Sequence, residues 1–226
     1  IELISYFQVD NPLVKIGDPV FIGFHTQENM LISSKAVKKA YAEEKVGVFV
    51  KHSDNKIGVM EYSDLTDEQI QATDDNNEIL FSSGSIAIHL FSTSFIEDIT
   101  SGKDISLPFH TAKKKIKSFT KDGIKEISGF KFEKFVFDAL PLTEKNIVFE
   151  TLREEEFAPV KNASGVDSVN TAQELMSNLH KKWLKNKGFQ LNDDIKFLEI
   201  SPKLAVDEDD IPEDVKVSHG EKVYIE

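Results

Sequence analysis

The sequence predicts an α/β fold, and three observations carry that expectation. Apolar, strand-like runs alternate with short helix-like segments over the first two thirds of the chain. The opening run IELISYFQ clusters its apolar residues instead of alternating them, which is the pattern of a strand buried on both faces of a parallel sheet. A length of 226 residues with 40% hydrophobic content is enough to bury a core of one large domain or one and a half.

In chain order, residues 1–8 read as that first strand. Residues 17–28 begin with Asp-Pro and carry a mixed apolar pattern, so a short helix is expected there. MLISSKAV (30–37) reads as a strand. KVGVFVKHSDNKIGVMEYSDL (45–65) places two apolar runs around the turn SDNK and predicts a β-hairpin. TDEQIQAT (66–73) has Thr66 and Gln69 at capping-box spacing. Residues 78–102 suggest a strand, a Ser/Gly turn and then helical segments ending at Gly102. KKIKSFTKDGIKEI (114–127) predicts a second hairpin turning at Lys121-Asp122-Gly123. KFEKFVFDAL (131–140) puts Phe132, Phe135, Val136 and Ala139 at helical spacing, with Pro141 as its stop. NIVFETL (146–152) is rich in β-formers. SGVDSVN (164–170) reads as a polar linker. TAQELMSNLHKKWLKNKG (171–188) is the strongest helix, with Thr171 and Glu174 as its expected capping box and Gly188 as its end. IKFLEIS and KVYIE read as strands around the acidic loop VDEDDIPED. The expected division is a main α/β part over 1–163 and a small α+β part over 164–226.

Charge and composition remove several function classes. The chain has 27 basic and 39 acidic residues, a net charge of -12, which repels a phosphate backbone and argues against nucleic acid as partner. There is no cysteine, so thiolate metal sites and cysteine nucleophiles are excluded. No apolar run reaches membrane-spanning length and no signal peptide opens the chain, so a cytoplasmic protein without a membrane partner is expected. The chain starts with Ile inside a strand, which reads as the C-terminal portion of a longer protein.

Local chemistry offers candidates with ordinary alternatives. The 11 glycines are scattered, and neither GxGxxG nor GxxxxGK[ST] occurs. VDN (9–11) follows a strand, where Asp10 could hold a cation or simply begin a turn. Glu61 and Tyr62 of MEYS stand at a strand end, where the carboxylate could accept from sugar hydroxyls or belong to a surface pair. SSGSIAIH (82–89) could present backbone donors at a helix start, or be a plain turn. Lys131 opens an apolar segment, and Lys161 follows Pro159 and Val160 in REEEFAPVKN. Either lysine suits a phosphate, and either could be a surface lysine.

Taken together, VDNPLVKIGDPVFIGF, VGVFV…GVMEYSD, SGSIAIHLFS, LPFHTAKKKI, GFKFEKFVFD and LREEEFAPVKN resemble, in this order, the eukaryotic-type UDP-N-acetylglucosamine pyrophosphorylases of the UDP-sugar pyrophosphorylase family. The match runs from about residue 7 to 165 and continues more weakly into WLKNKG and FLEISP. GFKFEKFVFD followed by LREEEFAPVKN is the specific part. The resemblance implies part of a nucleotide-diphospho-sugar transferase (Rossmann-like) catalytic domain with a small α+β C-terminal domain. It implies UTP and N-acetylglucosamine 1-phosphate as substrates, UDP-N-acetylglucosamine and pyrophosphate as products, and Mg²⁺ as cofactor. By the same resemblance Asp10 would hold the metal at the nucleotide. Gly47, Glu61, Tyr62 and Ser85 would line the sugar pocket. Lys131 would touch a phosphate of UTP, and Lys161 the phosphate next to the sugar. Two departures stand out. Ser85 and Ile88 occupy positions where the family usually has Asn, which leaves UDP-glucose or broader UDP-sugar chemistry as an alternative. The family's glycine-rich UTP loop precedes the matched part and is absent, so a non-catalytic sugar-nucleotide-binding module is the alternative of another class.

Overall fold

The computed structural model describes residues 1–101, 107–121 and 123–226. Its main layer is a six-stranded mixed sheet. The central strand is β5 (Ser83–Ser92). One edge of β5 pairs antiparallel with β2 (Ile32–Lys38), and β2 pairs in parallel with β8 (Asn146–Glu150). The other edge is shared by β1 (Leu3–Tyr6) and β3 (Val48–Lys51), and β3 continues to β4 (Ile57–Met60). Helix α1 (Pro19–Gln27) begins at Asp18, whose side chain accepts from the amides of Val20 and Phe21. Phe21 then joins Val37, Val46, Ile86, Ile88, Leu90 and Phe157 in one core cluster. A second cluster gathers Ile32, Phe91, Phe95, Ala139 and Leu140, with Phe95 supplied by α3 (Thr93–Thr100).

The hairpin over 45–65 and the capping box of α2 (Asp67–Ile70), made by Thr66 and Gln69, form as the sequence reads. Other expectations are corrected. β1 pairs antiparallel, and Ile4 is 42% exposed, so this strand is not buried on both faces. SSGSIAIH is not a turn before a helix. It is the first half of β5, because Ile86, Ile88 and Leu90 alternate into the core. Residues 131–140 are not an α-helix. β6 (His110–Thr120) and β7 (Gly123–Glu133) form a long two-stranded ribbon, and cross-strand pairing carries Lys131 and Phe132. A 3-10 turn over Val136–Leu142 follows and contains Pro141. Asp122 of the expected turn and Gly102 lie outside the described residues.

Near the C-terminus, α5 (Val169–Asn186) starts earlier than expected, within the supposed linker. Its capping box is Ser168 with Thr171, because Thr171 supplies the returning hydroxyl, and Glu174 plays no part in it. Gly188, at φ 87°, ends it. β9 (Phe197–Ile200) and β10 (Lys222–Ile225) pair in parallel against α5. On the outer side of β9, the amide of Leu198 donates to Ser177 Oγ (2.8 Å) and that of Ile200 to His180 Nδ1 (3.1 Å). Leu13 and Ala158 pack into this C-terminal cluster, whereas Phe157 packs under the sheet. Consecutive residues therefore anchor in two cores.

Candidate active site

REEEFAPVKN forms the single turn α4 (Arg153–Glu156) followed by an irregular segment ending at Lys161. The three glutamates have separate fates. Glu154 is exposed, Glu155 reaches Lys15 (3.5 Å) and Lys182 (2.8 Å), and Glu156 is buried. The irregular segment is tied to the VDN motif. Asn11 Nδ2 donates to the Glu156 carbonyl (2.7 Å), the Ala158 amide donates to Asn11 Oδ1 (3.0 Å), and the Val160 amide donates to the Asp10 carbonyl (2.8 Å). Asp10 and Lys161 are thus held side by side by main-chain and amide bonds. The Lys161 and Asn162 amides both donate to the Asp167 carbonyl, which closes the turn. The Lys161 ammonium lies 5.9 Å from the Phe157 ring centroid, and the residue is exposed.

The sugar-side candidates converge from the hairpin. Glu61 directly follows β4 and is half-buried. Burial pushes its carboxyl up and repulsion from Asp64 adds to this, while His110 and Lys161 pull the other way; the pKa ends above the ordinary value. Such a carboxylate gains from donors placed near it, as sugar hydroxyls would be. The Ser85 amide donates to the Gly47 carbonyl (2.8 Å), so Gly47 and Ser85 touch. A Cβ on Gly47 would sit 2.8 Å from Val59 Cγ1 and 3.5 Å from Glu61 Oε1, so the backbone here approaches too closely for a side chain. Tyr62 adjoins Glu61 and is 43% exposed. The β2–β5 register shifts beside Ser85, and Ala87 takes φ 54° in the resulting bulge.

The structure therefore brings together Asp10, Gly47, Glu61, Tyr62, Ser85 and Lys161. Lys131 stands apart, on the ribbon, opposite Ala112 and ion-paired to Glu133 (2.5 Å). It lies on the ribbon face it shares with His110, since His110 pairs with Glu133. Two further residues, His110 and Asp138, lie close to these candidates. His110 Nε2 meets Asp138 Oδ2 at 2.9 Å, both within the electrostatic reach of Glu61. Phe135 and Phe137 stack at 4.8 Å beside the His110 ring. The only signal for them was their place in LPFHTAKKKI and GFKFEKFVFD.

The donor set suits a hard cation bound largely by substrate. Among the described residues no group of three or more acidic or histidine side chains could hold a metal by itself. Asp10 offers one carboxylate beside the turn that carries Lys161, and magnesium is commonly bound by one or two carboxylates together with phosphate oxygens.

The profile of the UTP–glucose-1-phosphate uridylyltransferase family matches residues 2–209. The chain belongs to this family. Among curated members, UDP-N-acetylglucosamine diphosphorylase 2 of Arabidopsis thaliana is 36% identical over 81% of this chain and 37% of its own length. The crystal structure of an Entamoeba histolytica protein assigned as a UDP-N-acetylglucosamine pyrophosphorylase is 35% identical, with TM-score 0.83, over 99% of this chain and 56% of that one. The inhibitor-bound UDP-N-acetylglucosamine pyrophosphorylase of Trypanosoma brucei gives 27% and 0.79, over 93% and 44%. The uridylyltransferase family thus accounts for the fold and for the order of the motifs. The chain spans less than half the length of that plant relative. Among the described residues no helix is long and apolar enough to cross a membrane.

Proposed function

We propose that this chain forms the sugar-phosphate side of a uridylyltransferase that makes UDP-N-acetylglucosamine and pyrophosphate from UTP and N-acetylglucosamine 1-phosphate, reversibly. One observation carries the reading: Glu61, whose ionisation feels Lys161, stands with Gly47 and Ser85 on one side while Lys161 stands with Asp10 on the other. That arrangement offers a hydroxyl acceptor and a phosphate cation within one site. The sugar phosphate attacks the α-phosphorus of UTP in line, and pyrophosphate leaves. No protein nucleophile is required. Lys161 neutralises the attacking phosphate, and Lys131 reaches a phosphate of UTP once its pair with Glu133 opens. Mg²⁺ held at Asp10 would draw charge from the phosphate oxygens when bound. Residues 1–226 span 37% of that plant relative and contain no glycine-rich phosphate loop of their own, so alone they turn over nothing. Residues 1–163 supply the catalytic part and 164–226 the small domain, in the cytoplasm.

Ser85 favours a second reading within the same chemistry. Its hydroxyl is shorter than an asparagine amide and offers fewer hydrogen bonds, so glucose 1-phosphate competes as substrate. Pyrophosphate release by the whole gene product, measured with UTP and each sugar 1-phosphate in turn, decides between them. Release with neither would end both.

A further inference from the structure

Lys35 lies on β2 with no exposed surface, yet it carries a charge. Burying an ammonium is unfavourable unless it is paired and hydrogen-bonded. Here it is paired twice, to Asp18 Oδ2 and Glu156 Oε2, both at 2.5 Å, with the Phe21 ring centroid 5.0 Å away. An aliphatic side chain would fill the same space without that burden, but it would leave Asp18 and Glu156 without their shared cation.

Each carboxylate has a second attachment. Asp18 Oδ1 receives the first amides of α1, and although burial pushes Asp18 up, Lys35 and those amides hold its pKa below the ordinary value. Glu156 Oε1 receives the Thr151 hydroxyl at 2.7 Å, while the Glu156 carbonyl receives Asn11 Nδ2. Asn11 in turn receives the Ala158 amide, and Asp10 the Val160 amide. Through the Glu156 and Asn11 residues these hydrogen bonds link β2 to residues 158–160, which lead directly into Lys161.

We propose that Lys35 is a positioning residue: by pinning Glu156 it fixes the registry between Asp10 and Lys161. The inference rests on the uridylyltransferase reading for its kinetic consequence, but not for its mechanical one.

The test is a double-mutant cycle in the whole gene product, with Lys35→Met and Lys161→Ala separately and together. Positioning predicts that Lys35→Met lowers kcat at least about tenfold in the wild-type background and less than about twofold once Lys161 is gone. A loss by the same factor in both backgrounds means a general structural effect and overturns the proposal, as does unchanged kcat. Hydrogen exchange gives an arm independent of activity. Amides of residues 157–163 should exchange at least about tenfold faster in Lys35→Met, with α5 unchanged; equal protection overturns the proposal. If Lys35→Met does not fold, Glu156→Met, which cannot accept from Lys35 and keeps the main-chain bond to Asn11, is read the same way. A wild-type protein without transferase activity would refute the functional reading, and the exchange arm would still decide the inference.

Discussion

Asn11 and Ala158 are 147 positions apart in the chain, and the Ala158 amide donates to Asn11 Oδ1 at 3.0 Å. The same side chain donates to the Glu156 carbonyl at 2.7 Å. One asparagine thus reads the backbone of a distant segment as a paired strand would, and it does so next to Asp10 and three positions before Lys161.

Asn11→Ala leaves the Ala158 amide and the Glu156 carbonyl buried without their partner. Unsatisfied buried groups cost roughly 1–3 kcal/mol each. We expect a stability loss of about 2–3 kcal/mol by urea unfolding, together with a fall in turnover. Unchanged stability would contradict the bonding described.

Lys161→Ala should separate activity from folding. The side chain is exposed, so stability should move by less than about 0.5 kcal/mol. Under the proposed mechanism, loss of its charge should lower kcat about 100-fold or more. Near-normal turnover would remove Lys161 from the mechanism.

Gly47→Ala places a methyl 2.8 Å from Val59 Cγ1, on the side of Glu61. The hairpin must shift, at about 1–3 kcal/mol. KM for the sugar 1-phosphate should rise with kcat less affected, as expected for a residue lining the sugar by its backbone. Initial rates at varied sugar phosphate check this, and an unchanged KM would place Gly47 outside the pocket.

Acid should weaken the fold through His89. Burial lowers its pKa to about 4 from an ordinary 6.5, and its Nδ1 lies 2.8 Å from Ser34 Oγ. Between those values the unfolded chain binds a proton that the folded chain excludes. Its contribution is therefore complete above pH 6.5 and is lost as pH falls toward 4. From pH 7 to pH 5 this amounts to about 2 kcal/mol. Burial shifts His25 in the same direction. Urea midpoints at pH 7, 6 and 5 should fall in order, and His89→Asn should flatten the trend; a flat wild-type profile would refute it.

The strand-rich main layer, the first hairpin and the C-terminal helix were legible because each is written in local periodicity. Residues 131–140 misled, since Phe132, Phe135, Val136 and Ala139 fit helical spacing while the partner that makes 123–133 a strand lies across the ribbon. SSGSIAIH misled for the opposite reason. Its small residues look like a turn, but Gly84 is small because Val46 Cγ2 and the Val37 carbonyl crowd it, at 3.1 and 3.2 Å from where a Cβ would sit. Most of the candidate site residues could be named only through motif order. Lys35 was not legible, because a lysine in ISSKAVK looks like any other until Asp18 and Glu156 are folded against it.

The amides of Leu198 and Ile200 are spent on Ser177 and His180. With those donors engaged, β9 offers no free amide at Leu198 or Ile200 to another strand, so the small sheet stops at β9 on that side. The stop is chemical as well as steric. His180 serves as an acceptor only while neutral, and burial, which lowers its pKa, protects that state. Protonating His180 would turn that acceptor into a donor and leave the Ile200 amide without its partner.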